Sequence, residues 1–375
     1  MPQLDLSVSP VELTRVLCDI PSVSGDETPL ADAIHAAVST LPHLEVFRDG
    51  DTIVARTMLG RDQRVAIAGH IDTVPINRNL PTRDVVEGGE ACIWGRGTVD
   101  MKAGVAVQLV LAAELVAPRV DITWMWYDHE EVASDLNGLK RLSDHRPDLF
   151  RADFAILGEP SNGEVEGGCN GTLRAVVRTH GVRAHSARSW IGENAIHKAA
   201  PILERLARYE AQTIEVDGLD YREGLNAVAI SGGIAGNVIP DLCEVEVNFR
   251  FAPSRSALEA ERHVREVFEG FEVEISDLAP GARPGLDAPL AREFVTAVGA
   301  EPRPKYGWTD VARFSSLRFP AVHYGPDGPL PAHPHAARGP VSQIDEVAGG
   351  NLPFRALPAG EEISFNRQFQ AVVTG

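Results

Sequence analysis

Residues 64–75 read Arg-Val-Ala-Ile-Ala-Gly-His-Ile-Asp-Thr-Val-Pro, so that an apolar run is followed at once by His70. A second apolar run, residues 121–127, and a third, residues 154–157, share this pattern. Short runs of this kind are typical of strands that are buried on both faces of a sheet. Residues 101–116 have the length and composition of a helix. Alternating strand and helix signals indicate an α/β layer with a mostly parallel sheet.

Titratable side chains follow each of the three predicted strands. They are, in chain order, His70 and Asp72, Glu130 and Glu131, and Glu159. In open α/β sheets, ligands bind beyond the carboxyl ends of the strands. The sequence therefore delivers a histidine and several carboxylates to one edge of the sheet, as a metal site requires.

The middle of the chain has a different pattern. Residues 173–179 and 243–251 alternate as strands do, and residues 194–209 and 255–269 have helical spacing. This pattern indicates an α+β layer of its own. We therefore predict a first domain in two segments, 1–172 and 286–375, with an inserted domain, 173–285, between them.

Composition narrows the class of protein. Lys+Arg 35 against Asp+Glu 53 gives a net charge of −18, which argues against nucleic-acid and anionic-membrane partners. The four cysteines form no C-x-x-C pair, so we expect neither a cysteine zinc site nor a disulfide framework. We find no secretory signal pattern and no apolar stretch long enough to span a membrane, and we expect a cytoplasmic protein.

Two acidic positions each allow a functional and a plain structural interpretation. Asp100 directly precedes a predicted helix, where an aspartate can cap the helix, bind a metal or do both. Glu130 and Glu131 could form a solvated acidic loop. Alternatively, one binds a metal while its neighbour acts as a base. The buried aromatic run directly before this pair favours the second interpretation.

A pair of metal ions would need one more ligand than His70, Asp100, Glu131 and Glu159 supply. Zn²⁺ accepts imidazole nitrogen and carboxylate oxygen, and paired metals in hydrolases stand roughly 3.5–4 Å apart. A late histidine is the natural source of the missing ligand. The candidates are His323, His333 and His335.

The motifs taken together resemble the M20 metallopeptidase/amidohydrolase family. They are G-H-x-D-T-V-P at 69–75, G-R-G-x-x-D-M-K-A-G at 95–104, the Glu-Glu pair, G-E-P at 158–160 and G-x-x-A-H-S-A-x-x-x-x-G-x-N-A at 181–195. The resemblance implies a zinc-peptidase-like catalytic domain with an inserted α+β domain that serves as lid and dimerisation domain. It therefore also implies a homodimer.

The resemblance implies two zinc ions per protomer, with cobalt as a substitute. His70, Asp100 and Glu159 would hold one ion, and Asp100 as bridge, Glu131 and His333 would hold the other. His335 stays open as an alternative to His333, because the chain lacks the acidic residue that relatives carry shortly after this histidine. Asp72 would orient His70, and Glu130 would be the general base. The family also implies a cis peptide bond between Asp100 and Met101.

In the inserted domain, the resemblance implies residues that act on the substrate. His185 would reach the active site of the other subunit and stabilise the oxyanion. Asn237 and Arg250 would bind substrate carboxylates, since an arginine fork suits a carboxylate. Thr172, Arg188 and Trp308 are further expected substrate contacts.

The family includes actinobacterial desuccinylases, and three stretches of this chain resemble them: 167–172, 185–190 and 307–314. They imply hydrolysis of the amide of N-succinyl-LL-2,6-diaminopimelate to succinate and LL-2,6-diaminopimelate. Other activities of the family stay open, namely acetylornithine deacetylase, carboxypeptidase and aminoacylase, as does a non-catalytic metal-binding relative. Relatives end in an amphipathic helix, but the glycines and Pro353 after Val347 predict that no helix continues here.

Overall fold

The structure is a computed structural model that describes residues 3–299, 301–328 and 338–350. The expected ligand His333 and its alternative His335 lie outside these residues. The described chain forms two compact units. The first contains the described residues up to 167, then 285–299, 301–303, 313–328 and 338–350, and the second contains 168–284 and 304–312.

The helices and strands are numbered in chain order. The helices are α1 Pro10–Asp19, α2 Thr28–Val38, α3 Lys102–Glu114, α4 Gly138–His145, α5 Ala195–Lys198, α6 Ala200–Ala207, α7 Ala257–Val267, α8 Pro289–Val298, α9 Val311–Ser316 and α10 Val341–Gly350. The strands are β1 Glu45–Asp49, β2 Thr52–Arg56, β3 Arg64–His70, β4 Arg83–Glu87, β5 Glu90–Trp94, β6 Asp121–Tyr127, β7 Phe154–Leu157, β8 Glu166–Gly167, β9 Gly171–His180, β10 Ala184–His185, β11 Thr213–Val216, β12 Leu219–Arg222, β13 Gly224–Gly232, β14 Val238–Ile239, β15 Leu242–Phe251, β16 Glu272–Ala279, β17 Arg303–Pro304, β18 Ala321–His323 and β19 Arg338–Pro340.

The first unit is built on a mixed sheet with the strand order β1-β2-β6-β3-β7-β18-β8-β17. Its centre is parallel, since β3 pairs in parallel with both β6 and β7, and β18 pairs in parallel with β7. Every residue of β6 and β7 is buried, which explains why their sequences are continuous apolar runs rather than alternating ones. The predicted α/β class with a mostly parallel sheet is confirmed.

Helix α3 packs on this sheet closely enough to need two glycines. A Cβ on Gly104, in its first turn, would lie 2.1 Å from the carbonyl oxygen of Gly158, the residue that follows β7. Nearly all of α3 is buried, together with the inner faces of α1 and α2. The start of α3 is thereby fixed against the carboxyl edge of the sheet.

The second unit has an antiparallel sheet with the order β13-β15-β9-β16. Its strands alternate buried and more exposed residues, so one face carries a core that includes Phe249 and Phe251. The helical pattern over 194–209 is divided at Ala199 into α5 and α6. Residues 304–312 also belong to this unit, which differs from the predicted bounds that place them in the other domain.

One element of the first unit differs from the sequence-based expectation. Helix α10 runs from Val341 to Gly350, so it passes Val347 and includes Gly349 and Gly350. The core that surrounds Ile344 and Val347 supplies the burial that stabilises this helix. Within the described residues, no helix has the length and apolar character needed to cross a membrane.

Candidate active site

Four predicted metal ligands of the first unit lie close together, three at or after the ends of strands and one at the start of a helix. His70 ends β3, Glu131 and Glu159 come after β6 and β7, and Asp100 lies just before α3. Because β6, β3 and β7 are parallel neighbours, their carboxyl ends meet at one edge of the sheet. Four of the predicted ligands therefore lie at that edge.

The imidazole of His70 is buried and faces carboxylates on one side. Its Nε2 lies 3.0 Å from Asp100 Oδ1 and 3.8 Å from Glu159 Oε1. Its Nδ1 lies 3.0 Å from the carbonyl oxygen of Asp72 and 3.4 Å from Asp72 Oδ1. Because both of these oxygens accept hydrogen bonds, Nδ1 carries a proton, and Nε2 is the ring nitrogen directed at the carboxylates. A metal-binding histidine needs this orientation, in which Nδ1 donates and a metal ion can replace the proton on Nε2.

Asp100 does not cap α3. The N-cap residue is Met101, no side chain caps this helix end, and the half-exposed Asp100 carboxylate instead faces His70. The interpretation of Asp100 as an N-cap is therefore wrong, because the helix begins one residue later than that role requires. The expected cis peptide bond between Asp100 and Met101 is confirmed.

Asp72 connects His70 with the Glu130–Glu131 pair. The backbone N–H groups of Glu130 and Glu131 donate to Asp72 Oδ1 and Oδ2 at 3.0 and 3.1 Å, and Ser24 Oγ donates to Oδ2 at 2.6 Å. Burial alone would raise the pKa of Asp72, but its contacts with His70, Ser24 and the Glu130 amide outweigh burial and hold that pKa well below its ordinary value. Asp72 is thus a stable anion that fixes the loop after β6.

The negative charge at this edge favours the binding of a cation. Burial, followed by the negative charge of Asp100, raises the pKa of Glu131 to about 7. Burial lowers the pKa of His70, but hydrogen bonds to Asp100 and Asp72 outweigh it and raise the pKa well above its ordinary value. Nearby negative charge outweighs burial at His70 and adds to burial at Glu131.

The residues fit a metal ion. His70, Asp100 and Glu131 each offer a ligand atom, and these atoms all lie within 4.8 Å of one another; Glu159 is close to His70 as well. One nitrogen and several carboxylate oxygens form a donor set that Zn²⁺ accepts. Of the late histidines, the described His323 is buried on β18, where its Nδ1 lies 3.3 Å from the Glu166 carbonyl oxygen. His333 lies outside the described residues.

In the second unit, a short strand pair places His185 beside Asn237. Strand β10 pairs with β14, so that His185 is opposite Val238, and Ser186 N donates to the Asn237 carbonyl oxygen at 2.8 Å. His185 Nδ1 accepts a hydrogen bond from Ala187 N at 3.1 Å, which leaves Nε2 directed away from this turn. The two exposed side chains thus belong to one loop region of this unit.

Arg250 and Thr172 are direct partners in the register of β15 and β9. Asn248 connects them, since its Nδ2 donates to Thr172 Oγ1 at 3.1 Å and its Oδ1 accepts from Arg250 Nε at 3.0 Å. Burial, followed by the nearby charge of Arg174, lowers the pKa of Arg250. A partly buried guanidinium held through Nε keeps its two terminal nitrogens available to a carboxylate.

The other two predicted substrate contacts are separate from this pair. Arg188 lies in an exposed turn after β10 and has non-helical backbone angles. Trp308 Nε1 donates to the Pro280 carbonyl oxygen at 3.1 Å, which fixes the indole.

Sequence reasoning missed two residues that support the candidate site. Ser24 binds Asp72, and Asn248 binds Arg250 and Thr172. The segment at Ser24 lies beside the end of β3 through an isolated bridge between Val23 and Thr73. The available signal for Asn248 was its position two residues before Arg250 on the same face of β15.

Comparisons with known proteins agree with this geometry. Residues 66–349 match Peptidase family M20/M25/M40. The chain is 51% identical over 344 residues to a proposed succinyl-diaminopimelate desuccinylase, DapE, of Mycobacterium tuberculosis. The aligned region covers 91% of this chain and 96% of the relative. The chain is 49% identical over 358 residues to the succinyl-diaminopimelate desuccinylase of Corynebacterium glutamicum, with 92% and 96% covered.

Solved structures of low sequence identity share the fold. A tripeptidase of Staphylococcus aureus matches with a TM-score of 0.74 at 20% identity, and 93% of this chain and 97% of that chain are covered. A dinuclear metal-binding M20 peptidase of Bacillus subtilis matches with a TM-score of 0.67 at 18% identity, with 91% and 95% covered. The chain belongs to Peptidase family M20/M25/M40.

Proposed function

We propose that this protein hydrolyses the amide bond of N-succinyl-LL-2,6-diaminopimelate to give succinate and LL-2,6-diaminopimelate. The observation that carries this proposal is the convergence of His70, Asp100, Glu131 and Glu159 at one sheet edge. The choice of substrate is supported by about half-identity to the two desuccinylases over almost the whole chain.

His70, Asp100, Glu131 and Glu159 would hold zinc, with Asp100 shared between two ions and His333 as a further ligand. Zinc supplies Lewis-acid polarisation of the amide carbonyl and lowers the pKa of a water molecule. Asp72 keeps Nδ1 of His70 protonated, so Nε2 stays available as a ligand. The negative charge at this edge favours a divalent cation.

Glu130 is the proposed general base. Hydrogen bonds from the backbone to Asp72 fix Glu130 next to Glu131, the proposed ligand, so this loop would carry both acidic residues to the metal site. Glu130 accepts a proton from the attacking water and later donates a proton to the leaving amine. This assignment gives the adjacent acidic residues different tasks.

The second unit is proposed as the lid and dimerisation domain. Its edge strand β13 exposes Val228 and Ile230, and an edge strand offers unpaired backbone groups to another chain. In the homodimer, His185 would donate a hydrogen bond to the oxyanion at the active site of the other subunit. Arg250 and Asn237 would bind substrate carboxylates, with Thr172, Arg188 and Trp308 as further contacts.

A substrate comparison tests the proposal. We would load the purified chain with Zn²⁺ and measure kcat/KM on the succinylated diaminopimelate, on N-acetylornithine and on a dipeptide. We expect the first value to exceed the others by roughly 10²-fold or more, since a site built around a substrate's polar group rejects analogues that lack it. A preference for either other amide would assign a different activity of the family. No turnover together with no bound zinc would indicate a non-catalytic relative.

A further inference from the structure

His129 has an unusual backbone conformation directly before the Glu130–Glu131 pair. Its φ is +59°, in the left-handed region that residues other than glycine rarely adopt. It follows Asp128, the first residue after β6. The chain must therefore hold His129 by specific contacts in order to keep this turn.

Two carboxylates hold His129 from different sides. Its Nδ1 donates to Asp128 Oδ2 at 2.7 Å and lies 3.3 Å from Glu27 Oε1. Its backbone N–H also donates to Glu27 Oε1, at 3.1 Å. Both the ring and the backbone of His129 are thus fixed, and Glu27 contributes from a segment about a hundred residues earlier in the chain.

Asp128, the first of these carboxylates, is itself fixed. It is buried, and it accepts hydrogen bonds from Arg141 at 2.7 and 3.1 Å and from Thr52 Oγ1 at 2.6 Å. Arg141 lies on α4 and Thr52 on β2. The position of Asp128 is therefore set by two separate elements.

Glu27, the second carboxylate, is also fixed. It is fully buried at the start of α2, and its Oε2 accepts from Gly25 N at 2.8 Å. Ser24, the residue before Gly25, donates to Asp72. The loop that carries Glu27 therefore contacts both Asp72 and His129.

The turn at His129 has a direct consequence for the next two residues. After it, the N–H groups of Glu130 and Glu131 both point to the carboxylate of Asp72, at 3.0 and 3.1 Å. An ordinary right-handed or extended conformation at His129 would turn this pair of amides away from Asp72.

We propose that His129 is a positioning residue that, held by Glu27 and Asp128, sets the backbone turn that aims Glu130 and Glu131 into the metal site. This inference rests on the proposed function for its catalytic consequence. It rests on geometry alone for its effect on the ligand Glu131.

Three substitutions separate the backbone requirement from the side-chain contacts. H129N keeps a residue that tolerates the left-handed region and an amide that can donate to Asp128. H129G accepts the backbone conformation but loses the ring. H129A loses the ring and is strained at this φ. The matched control is H145A, which removes another His–Asp contact of the first unit, the 3.0 Å contact between His145 Nδ1 and Asp49 Oδ2.

We would measure kcat, KM and calorimetric Zn²⁺ affinity for each variant, together with its melting temperature. We expect H129G and H129A to lose about tenfold or more in kcat and in Zn²⁺ affinity, with KM little changed, as is usual when residues that orient ligands are removed. We expect H129N to stay within about threefold of the unsubstituted protein, and H145A to be unchanged.

Wild-type kcat and Zn²⁺ affinity in both H129G and H129A would overturn the inference, whatever their melting temperatures. So would an H129N variant that loses as much as H129A, since the rescue is then absent. If H129A does not fold, H129G and E27Q test the inference in its place. We expect both to show the same losses in kcat and in Zn²⁺ affinity. If the unsubstituted protein hydrolyses none of the amides, the proposed function fails, whereas the Zn²⁺ affinities still test the positioning role.

Discussion

Neighbouring carboxylates at this site have different pKa values because they have different hydrogen-bond donors and different burial. Asp72 accepts hydrogen bonds from four donors and stays ionised. The pKa of Glu131, in contrast, is raised to about 7 by burial and by the negative charge of Asp100. Hydrogen bonds that favour the charged form and burial that disfavours it shift a pKa in opposite directions. At the residue scale, the environment rather than the residue type therefore decides which acid stays ionised and which has a raised pKa.

A pair of isosteric substitutions tests the division between Glu130 and Glu131. We expect E130Q to keep its bound zinc and to lose about 10²–10⁴-fold in kcat, because the amide cannot accept the proton. We expect E131Q to lose zinc, because a neutral ligand replaces an anion. Zinc content by atomic absorption and kcat at saturating substrate provide the two measurements. An E130Q enzyme with full activity would reassign the base.

At the scale of elements, the site depends on how closely α3 approaches the sheet. Gly104 and Gly158 allow the first turn of α3 to contact the loop that leads to Glu159. Gln108, one turn further along, donates to the Ala68 carbonyl oxygen at 2.9 Å and ties the helix to β3. The distance between helix and sheet is therefore set by the absence of side chains at two positions.

Adding one methyl group to α3 tests this packing. We expect G104A to lower the free energy of unfolding by about 1–3 kcal/mol through overpacking, since its Cβ would meet backbone that cannot move aside. The control is G349A in α10, where nothing lies within 4 Å and alanine should be neutral or stabilising by about 0.5–1 kcal/mol. Urea unfolding measures both. Equal stabilities of the two variants would contradict the packing argument.

Helix α7 in the second unit gives a prediction for pH. Burial, followed by the charge of Arg255, lowers the pKa of His263, which contacts Tyr209 at 2.9 Å. The unfolded chain therefore binds a proton more readily than the folded chain, so stability is lost as the pH falls below about 6.5. We expect H263Q to show a smaller drop in melting temperature between pH 7.5 and 5.5. An unchanged drop would show that other groups cause it.

At the scale of the whole molecule, the proposed mechanism needs two copies of the chain. Glu130 lies in the first unit and His185 in the second, and His185 is proposed to serve the other subunit. Each active site would then combine residues from two chains, as symmetric dimers allow.

Subunit exchange tests this arrangement. We expect E130Q and H185A to be nearly inactive alone. After mixing and subunit exchange, about a quarter of the wild-type activity should return, because half of the dimers would contain one intact site. A mixture of E130Q with E131Q is the control and should stay inactive, since both substitutions affect the same unit. A mixture of E130Q with H185A that stays inactive despite exchange would place His185 at the site of its own chain.

Local patterns predicted the elements whose burial is uniform. The strands β3, β6 and β7 and the helix α3 were predicted from sequence because continuous apolar runs leave few alternatives. The break at Ala199 has a local signal, since Pro201 lies in the first turn of α6. The assignment of residues 304–312 and the extent of α10 could not be predicted from local patterns, because both depend on packing against distant segments.

The sequence by itself determined the α/β class and the set of residues that meet at the carboxyl edge, because the carboxyl ends of parallel strands meet there whatever the details of packing. Only the tertiary structure decided that Asp100 faces His70 instead of capping α3, and that Ser24, Glu27 and His129 support the site. These contacts join segments far apart in the chain, and a hydrogen bond between distant segments leaves no periodic trace in the sequence.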